Sequence, residues 1–318
     1  MTRAGINYRT LQFKAPSLAG YGWQAIDIVG LSDGPSLAVM AGIHPNEVAG
    51  IEAAYRLAER IDVRALRGTI TIIPVVNQPG YRTRAESLCP VDSKNINFCF
   101  PGRPDGTFSE AIADAILNDW ADRADCLIDL HGGDLREEMA RFTVCQLTGE
   151  SAFDDHNLRL SRSFNPTFLV RLDPSEGGRP GRSATARAAR HQLAVFAECG
   201  SHGLMPEPDV AFHLDGIESV ARELGMLGED RVAPPAPLEL TQYRFLEAPA
   251  EGWCRSAVRA GDHVARGAVL AEVRDGMGLL RATLTAPESG YILWRVTHPI
   301  VQAGDPIVGL ACGSFSLP

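Results

Sequence analysis

Four short apolar runs punctuate the first two-thirds of the 318-residue chain. They are SLAVMAGI (36–43), TITIIPVV (69–76), CLIDL (126–130) and LAVFA (193–197). Their length and near-continuous apolar character predict strands buried on both faces. Between them the period changes. NEVAGIEAAYRLAERI (46–61) sets Val48, Ile51, Ala54, Tyr55, Leu57 and Ala58 on one helical face, with charges opposite. SEAIADAILNDWADRA (109–124) repeats apolar residues at helical spacing behind Ser109, the expected N-cap. Strands alternating with helices predict an α/β layer structure with a largely parallel or mixed sheet.

The texture changes near residue 237. LGEDRVAPPAPLEL (227–240) holds three prolines, no periodicity and flanking charge, and reads as a linker. Beyond it, residues 253–275 and 280–311 show short alternating β runs cut by Gly-Asp and Ala-Pro turns. The expected organisation is an α/β domain over residues 1–236 and a small all-β, barrel-like domain over 237–318. GDHVARGAVLAEV and GDPIVGLA echo each other weakly, as two halves of a small barrel would.

Composition narrows the function. Hydrophobic residues make up 45% of the chain, enough for a sizeable core. The net charge of −9 argues against a general nucleic-acid or anionic-membrane binder, which needs a positive surface. Lys14 and Lys94 are the only lysines, so nearly all positive charge is guanidinium, suited to bidentate carboxylate recognition. No apolar run approaches the roughly 18 residues of a membrane span. The seven cysteines are odd in number and scattered, with no CxxC pair. Free thiols in a reducing compartment, and a cytoplasmic protein, are the expectation.

Three of the four buried runs end at a residue that binds or activates something. SLAVMAGI leads to His44, CLIDL to His131 and LAVFA to Glu198. In an open α/β sheet, ligands bind outside the carboxyl ends of the strands, so residues far apart in sequence meet at one rim. Two histidines and a carboxylate are a common shell for catalytic zinc. Glu47, expected in the first turn of the helix after His44, supplies that carboxylate. Asp129 lies two residues before His131 on the same strand, so both share a face and Asp129 supports the site. Glu198 then remains as a carboxylate beside the metal, placed to act as a general base. Each motif alone is weak; the joint appearance at three strand ends carries the reading.

AGIHPNE, KNINFCFPG, DLHGG and AECG, in that order, resemble the zinc carboxypeptidase fold, and specifically its succinylglutamate desuccinylase/aspartoacylase branch. The resemblance covers most of the chain. It implies a carboxypeptidase-like three-layer α/β domain with one zinc per chain, held by His44, Glu47 and His131. It implies Glu198 as catalytic base and acid, and Asn95 as support for the first zinc histidine. It implies an arginine that polarises the scissile carbonyl: Arg84, with Arg82 as the alternative. The C-terminal part resembles a biotinyl/lipoyl hammerhead, but no lysine follows Lys94, which excludes a covalently attached arm. A structural or oligomerising role, or a rim over the active site, remains for it; a homo-oligomer is left open.

The branch reads N-x-N-R-x-F-P-G where this chain reads NINFCFPG. Asn97 is retained, but Phe98 stands where an arginine grips the substrate carboxylate together with the asparagine. Arg136, Arg141, Arg179 and Arg182 lie in loop-like stretches and are candidates to substitute, with Arg182 and Asn97 taken as the substrate-binding pair. Otherwise the substrate lacks that carboxylate, or activity is lost. Cys199 and His202 lie too close along one loop to pair as nucleophile and base, and buried cysteine is usually inert packing. The expected function is zinc-dependent hydrolysis of the amide of a small N-acyl amino acid or related N-acylated amine. A zinc carboxypeptidase acting on short peptides and a metal-binding pseudoenzyme are the alternatives.

Overall fold

A strand buried on both faces sends alternate side chains to opposite sides, so a helix layer is needed on each side of it. The computed structural model, which describes residues 4–174, 181–228 and 235–314, has that arrangement. The chain begins with β1 (Gly5–Leu11), β2 (Trp23–Val29), β3 (Ser32–Met40), α1 (Val48–Arg60), β4 (Arg67–Ile73), α2 (Gln78–Thr83) and α3 (Phe108–Ala115). It continues through β5 (Cys126–His131), β6 (Glu137–Met139), β7 (Phe142–Gln146), α4 (Ser151–Ser163) and β8 (Phe168–Leu172). Next come α5 (Ser183–Ala188), β9 (Leu193–Glu198) and α6 (Glu207–Glu223). From there the described residues form strands: β10 (Leu238–Glu247), β11 (Gly252–Ser256), β12 (His263–Val264), β13 (Val269–Arg274), β14 (Leu280–Thr285), β15 (Gly290–Val296), β16 (Ile300–Val301) and β17 (Pro306–Ser314).

The four apolar runs are β3, β4, β5 and β9, and they lie side by side and parallel in the order β4-β3-β5-β9. Leu37 and Val39 of β3 pack on one face with α1, α4 and α6, while Ala38 and Met40 pack on the other with α3 and α5. Two cores on two faces make three layers. Alternation along β5 sends Ile128 and Leu130 to the first core and Leu127 to the second.

Two local expectations change. Thr107, not Ser109, is the N-cap of α3: its N–H donates to Glu110 Oε2 at 2.9 Å, while the Ser109 N–H and hydroxyl both donate to Asp92. Tyr55 is exposed, and Ala53 takes the buried place on α1, because the face that meets β5 and α6 centres on Gly50, Ala54 and Leu57.

The sheet does not stop at residue 237. β10 pairs parallel with β8 and antiparallel with β17, so the C-terminal strands extend the large mixed sheet through β17, β15 and β12. β14, β13, β11 and β16 form a separate small antiparallel sheet. Part of the expected linker, residues 229–234, lies outside the described residues, as does Arg179. Among the described residues no helix is long and apolar enough to cross a membrane.

Phe164 follows α4 and is fully buried against α6, with its ring edge-on to Phe212 at 5.3 Å. A Cβ at Gly216 of α6 would stand 2.3 Å from that ring, so the glycine makes its seat. Phe164→Ala is expected to lower stability by about 3–5 kcal/mol through the cavity it leaves. Denaturant titration checks this as a lower midpoint at an unchanged slope.

A candidate metal centre at the strand ends

β3, β5 and β9 are parallel, so their carboxyl ends share one rim. The register pairs His131, the last residue of β5, with Glu198, the last residue of β9. Beyond β3 the chain reaches His44 and turns, with the Glu47 N–H donating to His44 O at 3.2 Å. α1 starts at Val48, so Glu47 is its cap residue, one position earlier than expected, and its carboxylate reaches back to His44.

Glu47 bridges both imidazoles. Its Oε1 lies 2.6 Å from His44 Nδ1, and its Oε2 lies 2.9 Å from His131 Nδ1. The Gly132 N–H donates to the same Oε2 at 3.1 Å. The far ring nitrogens face polar groups: that of His44 is hydrogen-bonded, and that of His131 lies beside a carboxylate. Asn95 Oδ1 accepts from His44 Nε2 at 3.0 Å and from the Asn97 N–H at 2.9 Å. His131 Nε2 lies 3.1 Å from Asp129 Oδ1, and Asp129 Oδ2 accepts from the Ser183 hydroxyl. Because Asn95 Oδ1 only accepts, the His44 ring donates to it from Nε2, and Nδ1 faces Glu47. One ligand atom from each of His44, Glu47 and His131 lies within 4.8 Å of the others, which makes them a candidate metal-binding triad.

The charges follow. Burial raises the Glu47 carboxyl, but the two imidazoles outweigh it and hold it down to about 2. Burial opposes protonation of His131, yet Asp129 and Glu47 hold its proton well above the usual histidine range. The His131 ring is also stacked on Phe196 at 4.5 Å, which sets its plane.

A cavity of about 520 Å³ opens on this rim. His44, Glu47, Asn95, Asn97, Phe98 and Glu198 line it, together with Tyr243, Phe245, Trp294 and Val296 of the C-terminal strands. Glu198 Oε2 and Asn97 Oδ1 are buried without a hydrogen-bond partner among the described residues. Burial pushes the Glu198 carboxyl well above the usual range, countered in part by His131. Glu137, which sequence reading missed, also lines the cavity; burial, Asp134 and Glu47 push its carboxyl up to about 7.

The arginines separate. Arg84 adopts φ 56° as it ends α2 and is exposed; neither it nor Arg82 is among the residues lining the cavity. A left-handed residue turns the chain away from the helix direction, which spacing along NQPGYRTR does not reveal. Arg136 lines the cavity and is paired with Glu86. Arg141 bonds Asp209 and Pro208 O instead. Arg182 lines the cavity beside Asn97 and Phe98. The Cys199 thiol is buried and pushed up by that burial, with Asp209 and Arg141 beside it. Ser183 was missed because a lone serine at a helix start carries no chemical signal. Gly132 had one, the glycine pair after His131: a Cβ there would stand 2.2 Å from Cys199 O.

Residues 33–224 match the succinylglutamate desuccinylase/aspartoacylase catalytic domain. The chain belongs to that family. A curated relative from Halomonas elongata, N-alpha-acetyl-L-2,4-diaminobutyric acid deacetylase, is 24% identical over 90% of this chain and 84% of its own length. The product-bound structure of the ectoine utilization protein EutE (DoeB) from Ruegeria pomeroyi superposes with a TM-score of 0.85 at 23% identity, covering 98% of this chain and 97% of that one. A succinylglutamate desuccinylase from Silicibacter sp. TM1040 gives 0.84 at 23% identity over 97% and 96%. These solved structures share the fold of this desuccinylase/aspartoacylase family member.

In this family member His44→Ala and His131→Ala are each expected to abolish stoichiometric Zn²⁺ uptake by the full chain, read by metal analysis after dialysis. Uptake unaffected by both changes would remove the triad from consideration. A cation bound by His131 must displace a proton that Asp129 and Glu47 help the ring retain. Zn²⁺ affinity is therefore expected to rise with pH, with proton release measurable by calorimetry in buffers of different ionisation enthalpy.

Proposed function

We propose that this protein is a zinc-dependent deacylase that hydrolyses the amide bond of a small N-acylated amino acid or related N-acylated amine. One observation carries the reading: His44 and Glu47 of the donor triad line one cavity with Glu198, whose buried Oε2 has no partner among the described residues. Two imidazoles and a carboxylate fit zinc by donor chemistry. Zinc in such a shell supplies Lewis acidity and lowers the pKa of a coordinated water. The relatives named as a deacetylase and a desuccinylase support the reaction class.

The chain's own residues divide the remaining work. His44, Glu47 and His131 would hold the zinc. Asn95 fixes His44 through its Nε2, and Asp129, anchored by Ser183, does so for His131. Glu198 takes a proton from the attacking water and passes it to the leaving nitrogen. Burial suits it to both steps, because a raised pKa makes the carboxylate a stronger base for the water proton and lets the carboxyl keep that proton nearer neutral pH until it is delivered. Arg84, outside the cavity, takes no part in this scheme. Residues 1–236 carry the reaction, and the strands from 237 onward wall the cavity. The seven cysteines form no disulfide among the described residues, which fits a reducing, cytoplasmic setting.

Glu198→Gln is expected to lower kcat by about 10²–10⁴-fold, the usual worth of general acid–base catalysis, while the protein keeps its Zn²⁺. A Glu198→Gln protein with wild-type turnover would sink the assignment. A base must be ionised, and Glu198 holds its proton above the ordinary carboxylate range. kcat/KM is therefore expected to fall as pH drops through that raised value, well before the pH of about 4.3 at which an exposed glutamate protonates.

A further inference from the structure

An apolar surface runs from the metal triad along the cavity. The Phe196 ring, on β9, is stacked at 4.5 Å on His131. β7 pairs antiparallel with β9 and sets Val144 opposite Phe196 and Phe142 opposite Glu198. Directly opposed residues of such a pair face the same way, and all four line the cavity. From Phe142 a chain of rings continues onto the C-terminal strands. Phe142 meets Tyr243 edge-on at 5.8 Å, Tyr243 meets Phe245 at 5.2 Å, and Phe245 meets Trp294 at 5.2 Å. Edge-to-face contacts of this kind fix the ring planes. Gly309 makes the last contact possible. It lies on β17 between Phe245 of β10 and Trp294 of β15, and a Cβ there would stand 2.1 Å from Trp294 Nε1.

Core packing alone does not account for this surface. Phe245 is 39% exposed, and Ile300, which lines the same cavity, is 60% exposed. Water held against large apolar side chains is unfavourable, and a bound apolar group would displace it. Gln146, the next residue on this face of β7, is turned to the protein. Its Nε2 donates to Leu147 O and Leu172 O, and its Oε1 accepts from the Thr185 hydroxyl at 3.4 Å. It therefore adds little polarity to the apolar stretch. The volume points the same way. Cavities of about 300–1,000 Å³ take drug-sized ligands, and this one, at about 520 Å³, is larger than the few atoms of an acetylated glycine require.

We infer that this aromatic surface is a subsite for an apolar, preferably aromatic, group carried by the acylated substrate. One end of that molecule lies at the metal triad and the other on the rings. The inference rests on the deacylase reading and names the kind of substrate within it. Rings fixed edge-on present both faces and edges, which suits an incoming aromatic group in offset or T-shaped contact. The group can belong to the acyl part or to the amine part; the surface selects for its apolar character in both cases.

The test uses the full-length Zn²⁺-loaded protein. In one arm the amine part varies, with N-acetylglycine compared with N-acetylleucine and N-acetylphenylalanine. In the other the acyl part varies, with N-acetylglycine compared with N-hexanoylglycine and N-benzoylglycine. Each compound is also run as its decarboxylated counterpart, so that acyl amino acids and acyl amines both report. The apolar group is expected to raise kcat/KM about 10–100-fold in at least one arm, as burial of one large apolar side chain would. The arm that responds shows which part of the substrate carries the group. Phe245→Ser should cut that gain about tenfold, the loss falling on the apolar substrates far more than on N-acetylglycine. Phe245→Leu should keep most of the gain for aliphatic groups. Ile300→Asp, at a more exposed position, should also reduce the gain by placing a carboxylate beside the apolar group. Melting temperatures show whether each variant folds, and if Phe245→Ser does not, Ile300→Asp decides. No gain in either arm, or a gain that either folded variant keeps in full, overturns the subsite and leaves the deacylase standing. Hydrolysis of no compound in the panel overturns both.

Discussion

One buried carboxylate organises the site. Glu47 is 7% exposed, and burying an ionised carboxylate is tolerable only when each oxygen is matched. Oε1 serves His44 and Oε2 serves His131 and the Gly132 N–H. This requires the turn before α1 and the end of β5 to meet within hydrogen-bond reach. It also requires the end of β5 to pass against Cys199 with no Cβ at residue 132. The partners of the partners, Asn95 on one side and Asp129 with Ser183 on the other, then have their places set by the imidazoles they hold.

The second constraint is the continuity of the sheet. β10 hydrogen-bonds to β8, and β6, just beyond the site's glycine pair, pairs with β15. The C-terminal strands are therefore tied to both sides of the cavity and supply its apolar wall. The resulting cavity is chemically uneven. The candidate metal triad and Glu198 stand at the strand ends, acids whose carboxyls burial raises at Asp134 and Glu137, and a cation on an aromatic ring at Arg182. An uneven wall of this kind can orient a small substrate as well as hold it.

Much of the centre was legible along the chain because its residues sit where element types change. His44 and His131 terminate apolar runs, Glu198 ends another, and Asp129 precedes His131 by the two-residue period of a strand. Reading failed where a position depends on a conformation or a neighbour. Thr107 displaced Ser109 as cap because Asp92, seventeen residues earlier, captures the serine. Tyr55 fell outside the buried face because the face is defined by what α1 packs against. Arg84 ends α2 in a left-handed conformation and is exposed, not among the residues lining the cavity, which the spacing alone does not show. β7 and β8, which carry the sheet on from β9 towards β10, have no chemical residue at their ends to draw the eye.

By itself, the sequence determined which residues have the right chemistry and which strands must be buried on both faces. The 2.0 and 3.6 periods and the strand-end placement of ligands are local properties, so they survive in one dimension. Only the tertiary structure decided the β5–β9 register that sets His131 beside Glu198, and the close approach of Gly181 to Phe98 that lays Arg182 on its ring. Those depend on pairings between segments tens of residues apart, whose geometry no local pattern encodes. The loss of an arginine at position 98 is plain in the sequence. That a guanidinium lies over the same ring is visible only once the chain has folded back on itself.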